Sequence, residues 1–151
     1  MILLKNARIF DGRSIGTASE DLLLKDGVVA GRGKDLSGDG AEVFDLGGKL
    51  LCPGFIDLHV HFRDPGYEWR EDTESGARAA ASGGYTTVVT MPNTDPAVDN
   101  PVAVEYLVAR GKRAGASRVL PSGCVSKGRQ GKQLAELALM AESGAVIFTD
   151  D

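Results

Sequence analysis

The sequence predicts an α/β chain in two parts. Residues 1–52 read as a small antiparallel β domain, sandwich-like but incomplete, and residues 53–151 as the first four strands of a (β/α)8 barrel. Three observations carry this. Strand-like runs flank the tight-turn doublets Asp26-Gly27 and Gly47-Gly48 in the first part. From residue 54 the period switches, and strand-like runs alternate with helical ones. The chain's only two histidines stand one residue apart, at His59 and His61, on the first strand after that switch.

In the first part, Ile2-Leu3-Leu4 and Ala7-Arg8-Ile9-Phe10 are strand-like. Leu22 to Lys25 and Val28 to Ala30 flank Asp26-Gly27, a strong signal for a two-residue hairpin turn. Val43 to Leu46 and Lys49 to Cys52 flank Gly47-Gly48 in the same manner, so an antiparallel sheet is expected. Alone it is a poor domain, because roughly 50 residues bury little surface.

In the second part, Ile56, Leu58, Val60 and Phe62 alternate with Asp57, His59 and His61, which gives one apolar face and one polar face. A helix is expected over Thr73–Ser82, capped by Asp72 or Thr73 and stopped by Gly83-Gly84. Tyr85–Thr90 is a second strand. Asn100-Pro101 opens the next helix with a cap and a proline at the first helical position, and Val104, Leu107 and Val108 share one face. Arg118–Leu120 is a third strand. Gln133–Glu142 is a third helix, with Leu134, Leu137 and Ala138 inward, and Ala145–Phe148 is a fourth strand leading into Thr149-Asp150-Asp151. The order β-α-β-α-β-α-β implies parallel strands, and four of them are half of a barrel that typically needs about 250 residues. The chain therefore reads as the front half of a larger fold.

Composition excludes several function classes. A hydrophobic content of 42%, a charged content of 25% and a net charge of −4 suit an ordinary globular protein and give no reason to expect nucleic acid or membrane as a partner. Three apolar residues before Lys5 are too few for a secretory segment, which needs roughly 7–15. Cys52 and Cys124 do not make a disulfide framework, so both are expected reduced and the protein cytoplasmic.

The histidine pair is the functional signal. At i, i+2 on a strand both rings lie on one face with Cα atoms roughly 6.5–7 Å apart. Two rings so placed can share a metal ion at zinc–nitrogen distances of about 2.0–2.1 Å. A bare pair is also compatible with a half-exposed strand. Here Asp64-Pro65-Gly66 ends the strand in a loop, where β/α folds build their active sites. Asp57 shares the histidines' face, either orienting them or making a strand-end hydrogen bond. Asp150-Asp151, just beyond a strand end, is placed to cap a following helix, and it also lies at the same strand ends as the histidines. Tyr67 and Trp69 read as loop packing.

The segments Leu46-Gly47-Gly48-Lys49, Pro53 to His61, His61-Phe62-Arg63-Asp64-Pro65-Gly66, Gly83 to Val88 and Met91-Pro92-Asn93-Thr94 resemble the amidohydrolase superfamily, and within it the class I dihydroorotases. The resemblance runs through the chain and is most specific over residues 46–96. It implies a barrel of amidohydrolase type and a zinc-dependent enzyme with one or two ions. The implied reaction is reversible cyclisation of N-carbamoyl-L-aspartate to (S)-dihydroorotate, the third step of pyrimidine synthesis. By this resemblance His59, His61 and Asp151 ligate metal, and Arg63 and Asn93 hold the substrate carboxylate. The remaining ligands and the general acid/base aspartate are expected beyond Asp151. The 151 residues alone are therefore expected to be inactive and to be a piece of a longer product. A homodimer and an aspartate transcarbamoylase are the partners the resemblance suggests. Two rival readings stand beside it: a cyclic amidohydrolase of allantoinase or hydantoinase type, and a non-catalytic scaffold partner of the transcarbamoylase. Arg63 argues against the first, because it suits an anionic carboxylate those substrates lack, and the intact histidine pair argues against the second.

Overall fold

The computed structural model describes residues 1–151 and divides into two compact units, Met1–Pro53 and Gly54–Asp151.

In the first unit, strand β1 (Ile2–Ile9) is central. Strand β2 (Glu20–Lys25) pairs with it antiparallel, and β3 (Val28–Gly33) pairs antiparallel with β2. The β2–β3 turn is the expected hairpin, with Asp26 and Gly27 both at positive φ. The runs expected as two strands, Ile2–Leu4 and Ala7–Phe10, are one strand interrupted at Asn6, which has φ 56°.

That interruption explains a correction to the expected antiparallel sheet. Strands β4 (Glu42–Asp45) and β5 (Leu50–Leu51) do not pair with each other around Gly47-Gly48. Both add parallel to β1, β4 on its first half and β5 on its second. The amides of the connecting turn are spent on β1 instead: Leu46 donates to Lys5 O, and Gly48 donates to Asn6 O at 2.7 Å. The sheet is mixed. Leu3, Ala7 and Ile9 form its buried side.

In the second unit, strands β6 (Phe55–Val60), β7 (Tyr85–Thr90) and β8 (Arg118–Pro121) form a parallel sheet in that order. Helix α1 (Thr73–Ser82) begins with a capping box. The Asp72 side chain accepts from the Ser75 amide, and Ser75 Oγ accepts from the Asp72 amide. Helix α2 (Pro101–Ala114) is capped by Asn100 and ends at Gly115 in the left-handed region. Both helices keep the expected bounds. Phe62, Ala77, Val88 and Val119 form one core, which α1 and the sheet share. Val98, Val104, Leu107, Ala135, Met140 and Ala145 form a second, around α2. Ile56 and Leu58 of β6 are uncovered in this chain, 62% and 64% exposed.

Two expectations fail in the last third. The third helix, α3, covers Leu137–Ser143 and does not start at Gln133. Gln133 O accepts from the Lys127 amide, the Ala135 amide donates to Val125 O, and Leu134 bridges Ser126. The backbone that was to open the helix is thus committed to a bridge. Leu134 is 68% exposed and Ala138 is exposed, whereas Ala135 and Met140 are the buried residues. The expected fourth strand, Ala145–Phe148, is reduced to one parallel bridge between Gly123 and Phe148. Pro121 offers an acceptor but no N–H, and the Cys124 amide turns away to Val98 O. Only Gly123 is left to donate, to Ile147 O. Segment 145–149 still runs beside β8, where the fourth barrel strand belongs.

Candidate metal centre

Parallel strands place all their C-terminal ends at one edge, and the candidate residues gather there. His59 lies in β6 and His61 one residue beyond it. Their ring centroids are 5.1 Å apart with planes inclined at 64°. Asp151 reaches them across the edge: its Oδ1 is 3.4 Å from His59 Nε2, and its Oδ2 is 3.7 Å from His61 Nε2. One ligand atom from each of the three residues falls within a 4.8 Å span. Four donors arranged tetrahedrally at zinc bond lengths stand about 3.4 Å from one another. Two imidazoles and a carboxylate at these separations therefore fit a zinc ion.

Asp151 is aimed by its neighbour. Asp150 Oδ1 accepts from the amides of Val125 and Ser126, each at 2.9 Å, and its Oδ2 accepts from Ser126 Oγ at 2.6 Å. Those bonds hold the Asp150 carboxyl below its ordinary range, the Ser126 hydroxyl most of all. Arg129 Nη1 donates to Asp151 O at 2.6 Å. The two aspartates thus divide the work. Asp150 ties down the segment and Asp151 faces the histidines. Asp57 makes the strand-end bond: its Oδ1 accepts from the His59 amide at 3.0 Å.

Asn93, just beyond β7, lies between two of the three. Its Nδ2 donates to Asp151 Oδ2 at 3.1 Å, and its Oδ1 lies 3.0 Å from His61 Nδ1. A carboxylate only accepts, so the amide must present NH2 to Asp151 and oxygen to His61. His61 then carries its proton on Nδ1, which leaves the Nε2 lone pair free for a cation. This arrangement is not legible in the sequence, because a Met-Pro-Asn-Thr turn announces nothing about its partners.

Arg63 follows His61 by two residues. It is half-buried, at φ 60°, and takes part in none of the chain's ion pairs. The next residue was not anticipated as a site element. Asp64 is 2% exposed and bonds Thr73, Tyr106 and Arg110. A charged residue in a Pro-Gly loop was the only hint.

The sequence model of the dihydro-orotase-like family matches residues 48–151. The chain belongs to that family. It is 49% identical to a dihydroorotase of Sulfurihydrogenibium sp. over all of its own length and 36% of the relative's. It is 43% identical to a dihydroorotase of Aquifex aeolicus, covering 99% of this chain and 36% of that protein. The chain thus spans about a third of the curated relatives it matches. Among solved structures, an L-hydantoinase (dihydropyrimidinase) from Arthrobacter aurescens superposes with a TM-score of 0.76 at 30% identity, covering 97% of this chain and 32% of that one. A dihydroorotase crystal structure superposes with a TM-score of 0.66 at 20% identity, covering 97% and 41%. The fold of this family member is accordingly a small β domain followed by the opening strands of an amidohydrolase barrel. Both cysteines of the chain are free thiols, and burial pushes that of Cys124 up to about 12. No helix is long and apolar enough to cross a membrane.

Proposed function

We propose that this chain carries the first part of a zinc-dependent dihydroorotase site, for reversible cyclisation of N-carbamoyl-L-aspartate to (S)-dihydroorotate in pyrimidine synthesis. The observation that carries the reading is the convergence of His59, His61 and Asp151, with an unpaired Arg63 two residues beyond His61 in the chain. His59, His61 and Asp151 hold the metal. When bound, zinc lowers the pKa of a water ligand toward ~7 and polarises an amide carbonyl. The chain's own groups prepare the site for that chemistry. Asn93 fixes the proton of His61 on Nδ1. Arg63 supplies a planar fork of donors for the carboxylate that distinguishes dihydroorotate from neutral cyclic amides. In the ring-opening direction water adds to the ring carbonyl, the C–N bond breaks, and the ring nitrogen takes up a proton. The aspartate that moves that proton belongs to the length of the relatives this chain does not span, so these 151 residues alone are inactive.

The test is zinc content and dihydroorotate turnover of the complete natural protein, beside its Arg63→Ala variant. Loss of the Arg63 fork should weaken dihydroorotate binding by more than about 1.5 kcal/mol, the scale of a charged hydrogen bond. An unchanged KM removes the carboxylate role, and a protein without zinc or turnover removes the reading. The hydantoinase alternative is favoured by the 30% identity to the Arthrobacter enzyme, and turnover of hydantoin in preference to dihydroorotate establishes it.

A further inference from the structure

Behind the loop that carries Arg63 lies the most completely buried ion pair of the chain. The Asp64 side chain is fully shielded, and Arg110 Nε donates to its Oδ2 at 3.0 Å. Thr73 Oγ1 donates to the same oxygen at 2.7 Å, and the Thr73 amide at 3.3 Å. Tyr106 OH donates to Oδ1 at 2.9 Å. Thr73 opens α1, while Tyr106 and Arg110 stand one turn apart on α2. One carboxylate therefore ties the β6 loop to both helices.

Helix capping does not account for this. The start of α1 already has its capping box from Asp72 and Ser75. What the ties restrain is the loop. Arg63 sits at φ 60°, a left-handed conformation that a non-glycine residue adopts only where its surroundings impose it. Its carbonyl accepts from the Tyr67 amide at 2.8 Å, and the Asp95 amide donates to Pro65 O at 3.1 Å. At Gly66 the packing is so close that a Cβ would stand 2.1 Å from Asp95 O. The loop of Arg63 and the loop of Asn93 are pressed together in one arrangement.

The ion pair has a second consequence. The carboxylate next in sequence to Arg63 would be a potential counter-ion for it. Tyr106 donates to one oxygen of Asp64, Arg110 and Thr73 donate to the other, and the side chain is fully shielded, so it is withdrawn from Arg63 and the Arg63 guanidinium stays available to an external anion.

We propose that Asp64 is a positioning residue for Arg63: its buried bonds to Thr73, Tyr106 and Arg110 fix the left-handed loop from which Arg63 grips the substrate carboxylate, and keep Asp64 from competing for it. This rests on the carboxylate-binding reading of Arg63 given above. Asp64 itself touches no substrate, and its effect passes entirely through Arg63.

A double-mutant cycle on the complete zinc-loaded protein tests it, with KM and kcat for dihydroorotate and zinc content measured for Asp64→Asn, Tyr106→Phe, Arg63→Ala and the two pairs with Arg63→Ala. Asp64→Asn is expected to raise KM on the order of tenfold and Tyr106→Phe by a few-fold, with the loss on KM and not on kcat or zinc content. Neither should add to the Arg63→Ala defect when combined with it. If Asp64→Asn does not fold, the Tyr106→Phe cycle decides alone. Effects that multiply with Arg63→Ala, or that fall on kcat or zinc content, overturn the positioning role while leaving the dihydroorotase reading intact. If Arg63→Ala itself leaves KM unchanged, both fall together.

Discussion

Gly76 in α1 offers a perturbation whose sign depends on the packing around the metal centre. It sits inside a regular helix, so its backbone suits alanine, and substituting alanine in a helix interior ordinarily stabilises by about 1 kcal/mol. Here a Cβ would lie 2.5 Å from both Cδ1 and Cε1 of the Phe62 ring, far inside van der Waals contact. Phe62 is 7% exposed and wedged against Ala77, Val88 and Val119, so the ring has nowhere to swing. Overpacking of this kind typically costs about 1–3 kcal/mol. Subtracting the propensity gain leaves Gly76→Ala roughly neutral to about 2 kcal/mol destabilising. Phe62 also follows His61 directly, so a displaced ring drags the proposed metal ligand with it. The urea midpoint of the complete protein, with zinc affinity measured beside it, is the assay. The expected result is a midpoint no higher than wild type together with weaker zinc binding. A rise of about 1 kcal/mol with unchanged zinc affinity refutes the packing of Phe62 on α1.

Two further outcomes follow from the same geometry. Met140→Ala should cost about 2–5 kcal/mol in chemical denaturation, whereas Leu134→Ser should stay within about 0.5 kcal/mol; equal losses would restore the longer third helix. Burial pushes the Asp64 carboxyl up, but the bonds from Thr73, Tyr106 and Arg110 outweigh it and hold the group below its ordinary value. Its stabilising contribution is therefore complete above the unfolded-state value of about 3.9 and is lost as pH falls through the lower folded-state value. Stability measured from pH 6 downward should fall less steeply in Asp64→Asn than in wild type, and identical slopes would show the carboxylate unpaired.

Local chemistry with a short range was legible in the sequence. The α1 cap expected at Asp72 or Thr73, the Asn100-Pro101 start and the Asp26-Gly27 hairpin are each specified by residues within a turn of one another, and all three appear, with Asp72 as the cap. The Gly47-Gly48 doublet carries an equally good turn signal. Its hairpin fails because the amides find acceptors on β1, some 40 residues away, exposed by the irregularity at Asn6. Leu134 likewise fits a helical face by spacing, yet its backbone is claimed by residues 125–127. Residue type and period identify what a segment favours. Which partner claims its backbone is a long-range competition that a single segment does not encode. The site divides along the same line. His59 and His61 declare themselves by type and spacing and Arg63 and Asp151 only through the family resemblance, whereas Asp64 and Asp150 act through distant helices and loops.

Asn93 shows how two demands on one side chain are met together. By family resemblance it belongs to the substrate carboxylate, yet its amide spans His61 and Asp151. An amide group has two N–H donors and a carbonyl oxygen. The oxygen is committed to His61 Nδ1 and one N–H to Asp151 Oδ2, which leaves a second N–H unspent. Under the proposed carboxylate role of Arg63 that proton is available to the same anion, because the loop of Arg63 is pressed against the one that carries Asn93. Aspartate at this position would lose both donors and set a second negative charge beside Asp151, and alanine would release the His61 proton. An amide here orders the imidazole, steadies the carboxylate and still keeps one N–H in reserve, which neither aspartate nor alanine would do.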